Sequence, residues 1–187
     1  TLDVILDNPK VEWDGTHRWD VGILLDGGAS PQFGAYAEIR HPEILGATVG
    51  IKVTGNNYSS SQLKGGKILQ GGSTVSGTIG IYLETGSMFK IDSPDIEGYE
   101  TGIKVSAPQV QLDYPRFETV TDAIHLTCSG TWCQILDPTG SWTGSLITDN
   151  TNGKLQFVYP PLGMRDLSVS EGVDYQNTYP QSLVVCV

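Results

Sequence analysis

Hydrophobic and polar residues alternate in short segments that recur along the whole chain. Each segment has a proline or glycine anchor, with an apolar residue three positions before it. The anchors are Pro9, Pro42, Gly66, Pro94, Pro115, Pro138 and Pro160, and the apolar residues are Leu6, Ile39, Leu63, Ile91, Leu112, Ile135 and Phe157. A mostly polar position precedes each of these apolar residues, and a mostly apolar position comes before that. Such an alternation with a period of two predicts a β-strand with one buried face.

Each repeat contains two further apolar segments. The first begins two residues after the anchor, at Val11, Ile44, Ile68, Ile96, Phe117 and Leu162, with Gly140 as the exception. The second has the form small–Ile–x–aliphatic and covers residues 22–25, 50–53, 80–83, 102–105 and 123–126. In two repeats an insertion, at residues 12–21 and 70–79, separates these two segments. Insertions at one corner of each repeat are typical of a solenoid.

Three short strands in a repeat of about 25 residues predict an all-β protein that folds as a single-stranded right-handed parallel β-helix of about seven coils. Proline suits its corners, because a corner needs no N–H for a strand ladder. Leucine-rich repeats lack support, since their LxxLxL frame is absent, and an antiparallel sandwich would not repeat one strand order. Residues 1–162 are the predicted β-helix. Residues 163–187 break the repeat and are predicted to form a C-terminal cap or oligomerisation segment.

The coil pattern over residues 4–162 resembles that of the pectate-lyase-like right-handed parallel β-helix superfamily, which includes polysaccharide lyases, polysaccharide hydrolases and phage tailspikes. The resemblance rests on the coils and not on a catalytic motif. It implies that an extended polysaccharide binds along the outer face of one sheet. In character the chain is closest to viral tailspike and attachment proteins, which implies a homotrimer on a virion or outside the cell. The start at Thr1 suggests a fragment or a processed product.

Composition excludes several partners. The formal net charge is −10, which argues against a nucleic-acid interface and an anionic membrane surface. No apolar run is long enough to span a bilayer, so we expect no membrane insertion. The three cysteines form no CxxC pair and lie near no histidine cluster, so the sequence predicts neither a metal site nor a cofactor. The strand pattern places Cys133 in the core, and buried thiols are favoured over a bridge between Cys128 and Cys133.

The outward residues of the third strands are candidates for ligand binding. They form a column of Leu24, Lys52, Tyr82, Lys104 and His125. Lysine and histidine could bind an acidic glycan, and Tyr82 could stack on a sugar ring. Trp13 and Trp19 lie in the first insertion, where aromatic side chains either bind sugar rings or fold back over the core.

A second outward column contains two carboxylates that could form a catalytic pair. It consists of Asp26, Thr54, Glu84, Ser106 and Thr127. Asp26 and Glu84 are two coils apart, or ~9–10 Å at the usual strand spacing. This is close to the separation in inverting glycosidases, although solvated carboxylates at strand ends are the alternative. Asp92 and Asp113 are neighbours on another sheet, where they could share a proton or hold a cation, and we expect a solvated pair.

The leading functional hypothesis is a surface attachment, receptor-binding or structural spike module that binds a cell-surface glycan or receptor. The alternative is a polysaccharide-degrading enzyme with Asp26 and Glu84 as its acid–base pair. The motifs of polygalacturonases and the calcium-binding aspartates of pectate lyases are not recognisable in the sequence. Binding without catalysis is therefore favoured.

Overall fold

A computed structural model of the protein describes residues 3–28, 36–55, 60–86, 88–107, 109–127, 132–150 and 155–159. Within these ranges all regular structure is β-strand. The strands, in chain order, are β1 (Asp3–Asp7), β2 (Lys10–Val11), β3 (Trp19–Asp26), β4 (Tyr36–Arg40), β5 (Glu43–Leu45), β6 (Ala47–Thr54), β7 (Gln62–Lys64), β8 (Lys67–Leu69), β9 (Val75–Leu83), β10 (Phe89–Asp92), β11 (Asp95–Glu97), β12 (Tyr99–Val105), β13 (Gln109–Asp113), β14 (Arg116–Val120), β15 (Asp122–Leu126), β16 (Trp132–Leu136), β17 (Thr139–Trp142), β18 (Ile147–Asp149) and β19 (Leu155–Tyr159).

Every third strand joins the same sheet, which is the signature of a solenoid. The first sheet has the order β1-β4-β7-β10-β13-β16-β19. The second runs from β2 to β17 and the third from β3 to β18, again in steps of three strands. Neighbouring strands are parallel in all three sheets, as in β1 with β4, β2 with β5 and β3 with β6. The protein is a parallel β-solenoid, and the predicted fold class is confirmed.

The three apolar columns of the repeat lie in register. In the first sheet Leu6 pairs with Ile39, and the same column continues to Phe157. In the second sheet Val11 begins a column that ends at Gly140. In the third sheet the column is Ile23, Ile51, Ile81, Ile103, Ile124 and Ile147. The residues of these columns that precede Phe157 and Gly140 form about half of the buried core, with Leu6 and Val11 partly buried against it, which removes their apolar area from water.

The predicted number of about seven coils is too high for the described residues. The second and third sheets have six strands each, and the seventh coil is represented only by β19. Leu162 and the predicted cap at residues 163–187 lie outside the described residues, as do Cys128 and Cys186. Cys133 lies in the core, with 1% of its surface exposed, as the strand pattern predicts. No helix in the described ranges is long and apolar enough to cross a membrane.

A column of small residues before the third-sheet isoleucines lets neighbouring coils approach closely. A Cβ atom on Gly102 would lie 2.6 Å from the carbonyl oxygen of Ala123 and 2.6 Å from the ring of Phe117. The equivalent glycines of the earlier coils are Gly22, Gly50 and Gly80, and each meets the next coil's isoleucine and carbonyl in the same way. Ala123 occupies this column in the coil before Gly140, which offers no bulky side chain. The extra methyl group of Ala123 in the small-residue column and the missing side chain of Gly140 in the bulky column therefore compensate each other.

Candidate functional site

Four side chains on the outward face of the third sheet form one continuous row across the coils. Lys52 pairs with Tyr82, Tyr82 with Lys104, and Lys104 with His125. Each alternates along its strand with buried aliphatic residues, so the row points away from the core. We call these four residues the Lys–Tyr–Lys–His row. The column predicted from the sequence is thus brought together.

The tyrosine of the row is flanked by the two lysines. The Nζ atom of Lys52 lies 5.5 Å from the centroid of the Tyr82 ring, and that of Lys104 lies 5.2 Å from it. The two ammonium groups come from the strands on either side of Tyr82, and each is attracted to the ring quadrupole. Stacking of a sugar on Tyr82 is therefore disfavoured. The ring instead holds two positive charges in fixed positions on the surface.

Glu84 neutralises one end of the row. Its Oε2 atom lies 3.1 Å from Nζ of Lys52 and accepts a hydrogen bond of 2.7 Å from the hydroxyl of Thr54. The hydrogen bond from Thr54 lowers the pKa of Glu84, and Lys52 and Lys104 add to this effect against partial burial. Glu84 is consequently an ionised carboxylate at neutral pH, and Lys52 is its counter-ion. Lys104 makes no ion pair within the described part of the chain.

His125 ends the row in a partly buried position. Its Nε2 atom lies 3.3 Å from the side-chain nitrogen of Asn150. Burial lowers the pKa of His125, the positive charge of Lys104 lowers it further, and Asp122 opposes them. The contact with Asn150 could not be predicted from the sequence, because Asn150 follows β18 outside the repeated apolar pattern. The imidazole is therefore biased towards its neutral form.

In the predicted catalytic pair, Asp26 is exposed, whereas Glu84 contacts Lys52 and Thr54. Asp26 is exposed and its Oδ1 atom accepts a hydrogen bond of 2.9 Å from the backbone N–H of Gly28. Asp26 pairs with Thr54, which in turn binds Glu84, so Thr54 stands between the two carboxylates. A general acid of a glycosidase needs a raised pKa, whereas that of Glu84 is lowered. The catalytic assignment of Asp26 and Glu84 stays a prediction, and this geometry gives it no support.

The two tryptophans of the first insertion differ in exposure. Trp13 lies against Gly46, and the guanidinium of Arg18 is 5.4 Å from the centroid of its ring. Its indole nitrogen is buried and has no partner among the described residues. Trp13 is therefore partly buried against the turn at Gly46, and its role in sugar binding stays a prediction. Trp19 is 53% exposed, and its indole N–H donates a 3.0 Å hydrogen bond to the carbonyl oxygen of Glu12, so its role in binding stays a prediction.

A second polar cluster, which the sequence analysis did not identify, lies on the first sheet. The side chain of Glu38 is only 5% exposed and pairs with Arg40 at 2.9 Å and with Lys64 at 2.7 Å. The hydroxyl of Tyr36 also donates to Glu38 and accepts from Gln62. The hydrogen bond from Arg40 and then that from Lys64 lower the pKa of Glu38 to about 2. This cluster joins two coils and has a structural role.

Replacement of Glu38 with glutamine is expected to lower the melting temperature at neutral pH, because Arg40 and Lys64 would lose their shared counter-ion. The folded-state pKa is below that of an unfolded glutamate, so this stabilisation is complete above the unfolded value and is lost as the pH falls towards about 2. The deficit of Glu38→Gln should therefore shrink in acid. Thermal melts between pH 7 and pH 2 test this, with the exposed Glu43→Gln as the control. Equal deficits at both ends of the pH range would contradict it.

The expectation of a solvated pair at Asp92 and Asp113 is wrong for Asp113. The two residues are register partners as predicted, but Asp113 is only 5% exposed. Lys90 pairs with it at 2.8 Å, and the amide of Gln111 donates to both of its oxygens. Lys90 from the neighbouring strand and Gln111 from the same strand therefore cover Asp113. This leaves no room for the shared proton or cation that adjacent carboxylates can hold.

A cavity of about 400 Å³ lies at the corner between the first and second sheets. It is lined by His41, Pro42, Glu43, Gly66, Lys67 and Asp95. It opens where Gly66 replaces the corner proline of the other coils. Within the described ranges, no three His, Cys, Asp or Glu side chains come together as a possible metal site. The corner therefore offers mixed charges and no metal-binding geometry.

Comparisons with protein-family models, with characterised proteins and with solved structures found no match to this chain. The fold alone defines its class, a parallel β-solenoid with a basic row on one outer face.

Proposed function

We propose that the protein is a non-enzymatic attachment module that binds an acidic polysaccharide along the outward face of the third sheet. The observation that carries this proposal is the Lys–Tyr–Lys–His row, which aligns two lysines, a tyrosine and a histidine across four coils. Successive members of the row lie on neighbouring strands, which are ~4.8 Å apart. A polysaccharide that runs across the strands can therefore place successive sugars against successive members of the row.

The charge of the row favours a ligand with carboxylate or sulfate groups. Lys104 has no counter-ion within the described part of the chain, while Lys52 shares Glu84. The chain as a whole carries −10, which repels polyanions at long range. At physiological ionic strength the screening length is about 8 Å, so contacts at the row outweigh the distant negative charges. Binding to acidic glycans should be local and selective.

The wider setting of the proposal is a tailspike-like or adhesin-like protein on a virion or outside the cell. The parallel β-solenoid agrees with the coil pattern of the pectate-lyase-like superfamily, and the finer relationship is part of the proposal. A homotrimer is expected on the same ground. Sedimentation equilibrium of the intact chain measures this, and a monomer at micromolar concentration would remove the trimer from the proposal.

The experiment that tests the proposed function is a glycan array followed by mass spectrometry of each bound glycan. Carboxylated or sulfated glycans should be retained and should leave the protein with their chain length unchanged. Retention of neutral glycans alone would contradict the role of the row. Shortened products would instead favour the hydrolase alternative and make Asp26 and Glu84 the residues to examine.

Replacement of Glu84 with glutamine tests whether the outward face of the third sheet binds the acidic ligand. The change removes a negative charge from the face and releases Lys52 from its ion pair. Partly exposed pairs of this kind are worth about 0.2–1 kcal/mol, so affinity for an acidic oligosaccharide should rise about two- to fivefold. Isothermal titration calorimetry measures this rise, and Glu43→Gln on the second sheet is the charge-matched control. A loss of affinity in Glu84→Gln would count against the proposed face.

A further inference from the structure

Lys104 and His125 are neighbours at the end of the row that has no carboxylate partner. They are register partners on β12 and β15, and adjacent strands of a sheet are ~4.8 Å apart. The ammonium of Lys104 contacts the Tyr82 ring, and no ion pair of Lys104 exists in the described ranges. A single carboxylate or sulfate group can therefore reach both side chains at once. Binding of an anion at Lys52 is unfavourable by comparison, because Glu84 already pairs with that lysine.

Within the described residues His125 makes no ion pair, although the carboxylate of Asp122 favours the imidazolium through its charge. The carboxylate of Asp122, on the same strand, is held by the backbone N–H of Ser145 at 2.9 Å and makes no ion pair with His125 in the described part of the chain. Thr148, its register partner on β18, is neutral. Asn150 can serve either state of the ring, since its amide presents a donor or an acceptor after a flip. Lys104, on the other side, disfavours a second positive charge.

We propose that Lys104 and His125 form the subsite for the acidic group of the glycan, and that His125 takes up one proton when this group binds. The inference rests on the proposed function and deepens it. The anion supplies a negative charge in direct contact with His125, which Asp122 does not make. The proton moves from solvent to the imidazole, and the resulting imidazolium and the Lys104 ammonium share the bound carboxylate or sulfate. Asn150 turns its amide oxygen towards the protonated ring.

The direction of the pH dependence follows from the two states of the site. Burial and Lys104 lower the pKa of His125 in the free protein, and a bound anion raises it. Affinity is therefore constant above the bound-state pKa, increases as the pH falls between the two values, and levels off below the free-state pKa. Each unit by which the anion raises the pKa strengthens binding about tenfold. Carboxylates and sulfates stay ionised over most of this range.

The test is an NMR titration of the histidine side chains with inorganic sulfate as the probe. Saturating sulfate should raise the pKa of His125 by about one unit, and sulfate affinity should be about tenfold higher near pH 5 than near pH 8. His17 and His41 lie outside the row and serve as internal references, and His125→Asn assigns the resonance. Lys104→Gln should abolish the shift. An unchanged pKa of His125 in saturating sulfate, or equal shifts at all three histidines, would overturn the inference.

Failure of this inference differs from failure of the proposed function. If an acidic glycan binds with an affinity that does not change between about pH 5 and pH 8, the row binds glycan and His125 takes up no proton. If sulfate shifts His125 while no acidic glycan binds, the subsite exists and the attachment function is wrong. Wild-type protein measured with both ligands over the same pH range distinguishes these results.

Discussion

A Gly102→Ala variant is expected to be less stable than the wild type by about 1–3 kcal/mol, the usual cost of overpacking a core. The added Cβ would lie 2.6 Å from the carbonyl oxygen of Ala123 and 2.6 Å from the ring of Phe117. Neither contact is relieved by turning a flexible side chain, because one atom is backbone and Phe117 is fully packed. The coils on either side must separate or Phe117 must shift. Urea unfolding monitored by circular dichroism measures the effect.

The matched control lies in the same column. Ala123→Gly removes a methyl group at the equivalent position of the next coil, beyond which the second-sheet column ends at Gly140 instead of a bulky residue. Its expected cost is roughly 0.5–1 kcal/mol, from backbone entropy alone. The two variants therefore exchange the same two residue types at one structural position with different costs. Equal stabilities of Gly102→Ala and wild type would show that the coils do not approach as closely as 2.6 Å implies.

A Lys104→Gln variant is expected to lose most of its affinity for an acidic oligosaccharide. A hydrogen bond to a charged group contributes about 1.5–3 kcal/mol. Its loss should therefore raise the dissociation constant roughly 10- to 150-fold. The loss should be large at this position because Lys104 makes no direct ion pair in the described residues, and Glu84, whose charge it also feels, is paired with Lys52. Glutamine keeps the length of the side chain and removes its charge. Isothermal titration calorimetry at fixed pH and salt gives the ratio of dissociation constants.

Substitutions of two further lysines serve as comparisons for Lys104→Gln. Lys52→Gln should weaken binding less than Lys104→Gln, because Glu84 already neutralises Lys52. Lys67→Gln removes the same charge from the second sheet, at the corner cavity, and should leave affinity unchanged. If Lys67→Gln weakens binding as strongly as Lys104→Gln, the ligand lies at the corner or responds only to net charge. Either outcome would contradict the assignment of the ligand to the third sheet.

The register of the solenoid could be predicted from the sequence because each coil repeats one local rule. The apolar residue three positions before the corner anchor is partly buried at Leu6 and buried from Ile39 to Ile135, so Leu63 could be aligned even though Gly66 replaces the proline. The exceptions at Ala123 and Gly140 had no separate explanation in the sequence. The structure explains them together, because the small-residue column of the third sheet faces the bulky column of the second sheet.

The conformation of the corners could not be predicted in the same way. The residue before the corner anchor has a positive φ in successive coils, including His41 at 46°, Ser93 at 52° and Tyr114 at 51°. Asn8, His41, Gly65 and Asp137 at this position are of types that favour the left-handed region, whereas Ser93 and Tyr114 are not. The closed geometry of the coil imposes this conformation. A rule based on local sequence therefore misses it.

The candidate site was predictable in position and less so in chemistry. Alternation along the strands placed Lys52, Tyr82, Lys104 and His125 in one row, and the register confirms that row. The pairing of Glu84 with Lys52 is diagonal across strands, and side-chain length decides such contacts. The burial of Asp113 likewise depends on Lys90 from the neighbouring strand. The repeat pattern in the sequence assigns residues to one column at a time, so it cannot predict contacts between side chains of different columns.

Lysine footprinting tests the location of the ligand most directly. The intact protein is acetylated briefly with and without a saturating acidic oligosaccharide from the array, and modification at each lysine is quantified by mass spectrometry. Binding on the third sheet predicts strong protection of Lys104, weaker protection of Lys52, and no change at Lys10, Lys64, Lys67 and Lys90. Protection at Lys64, Lys67 or Lys90 with Lys104 still reactive would contradict the proposed face.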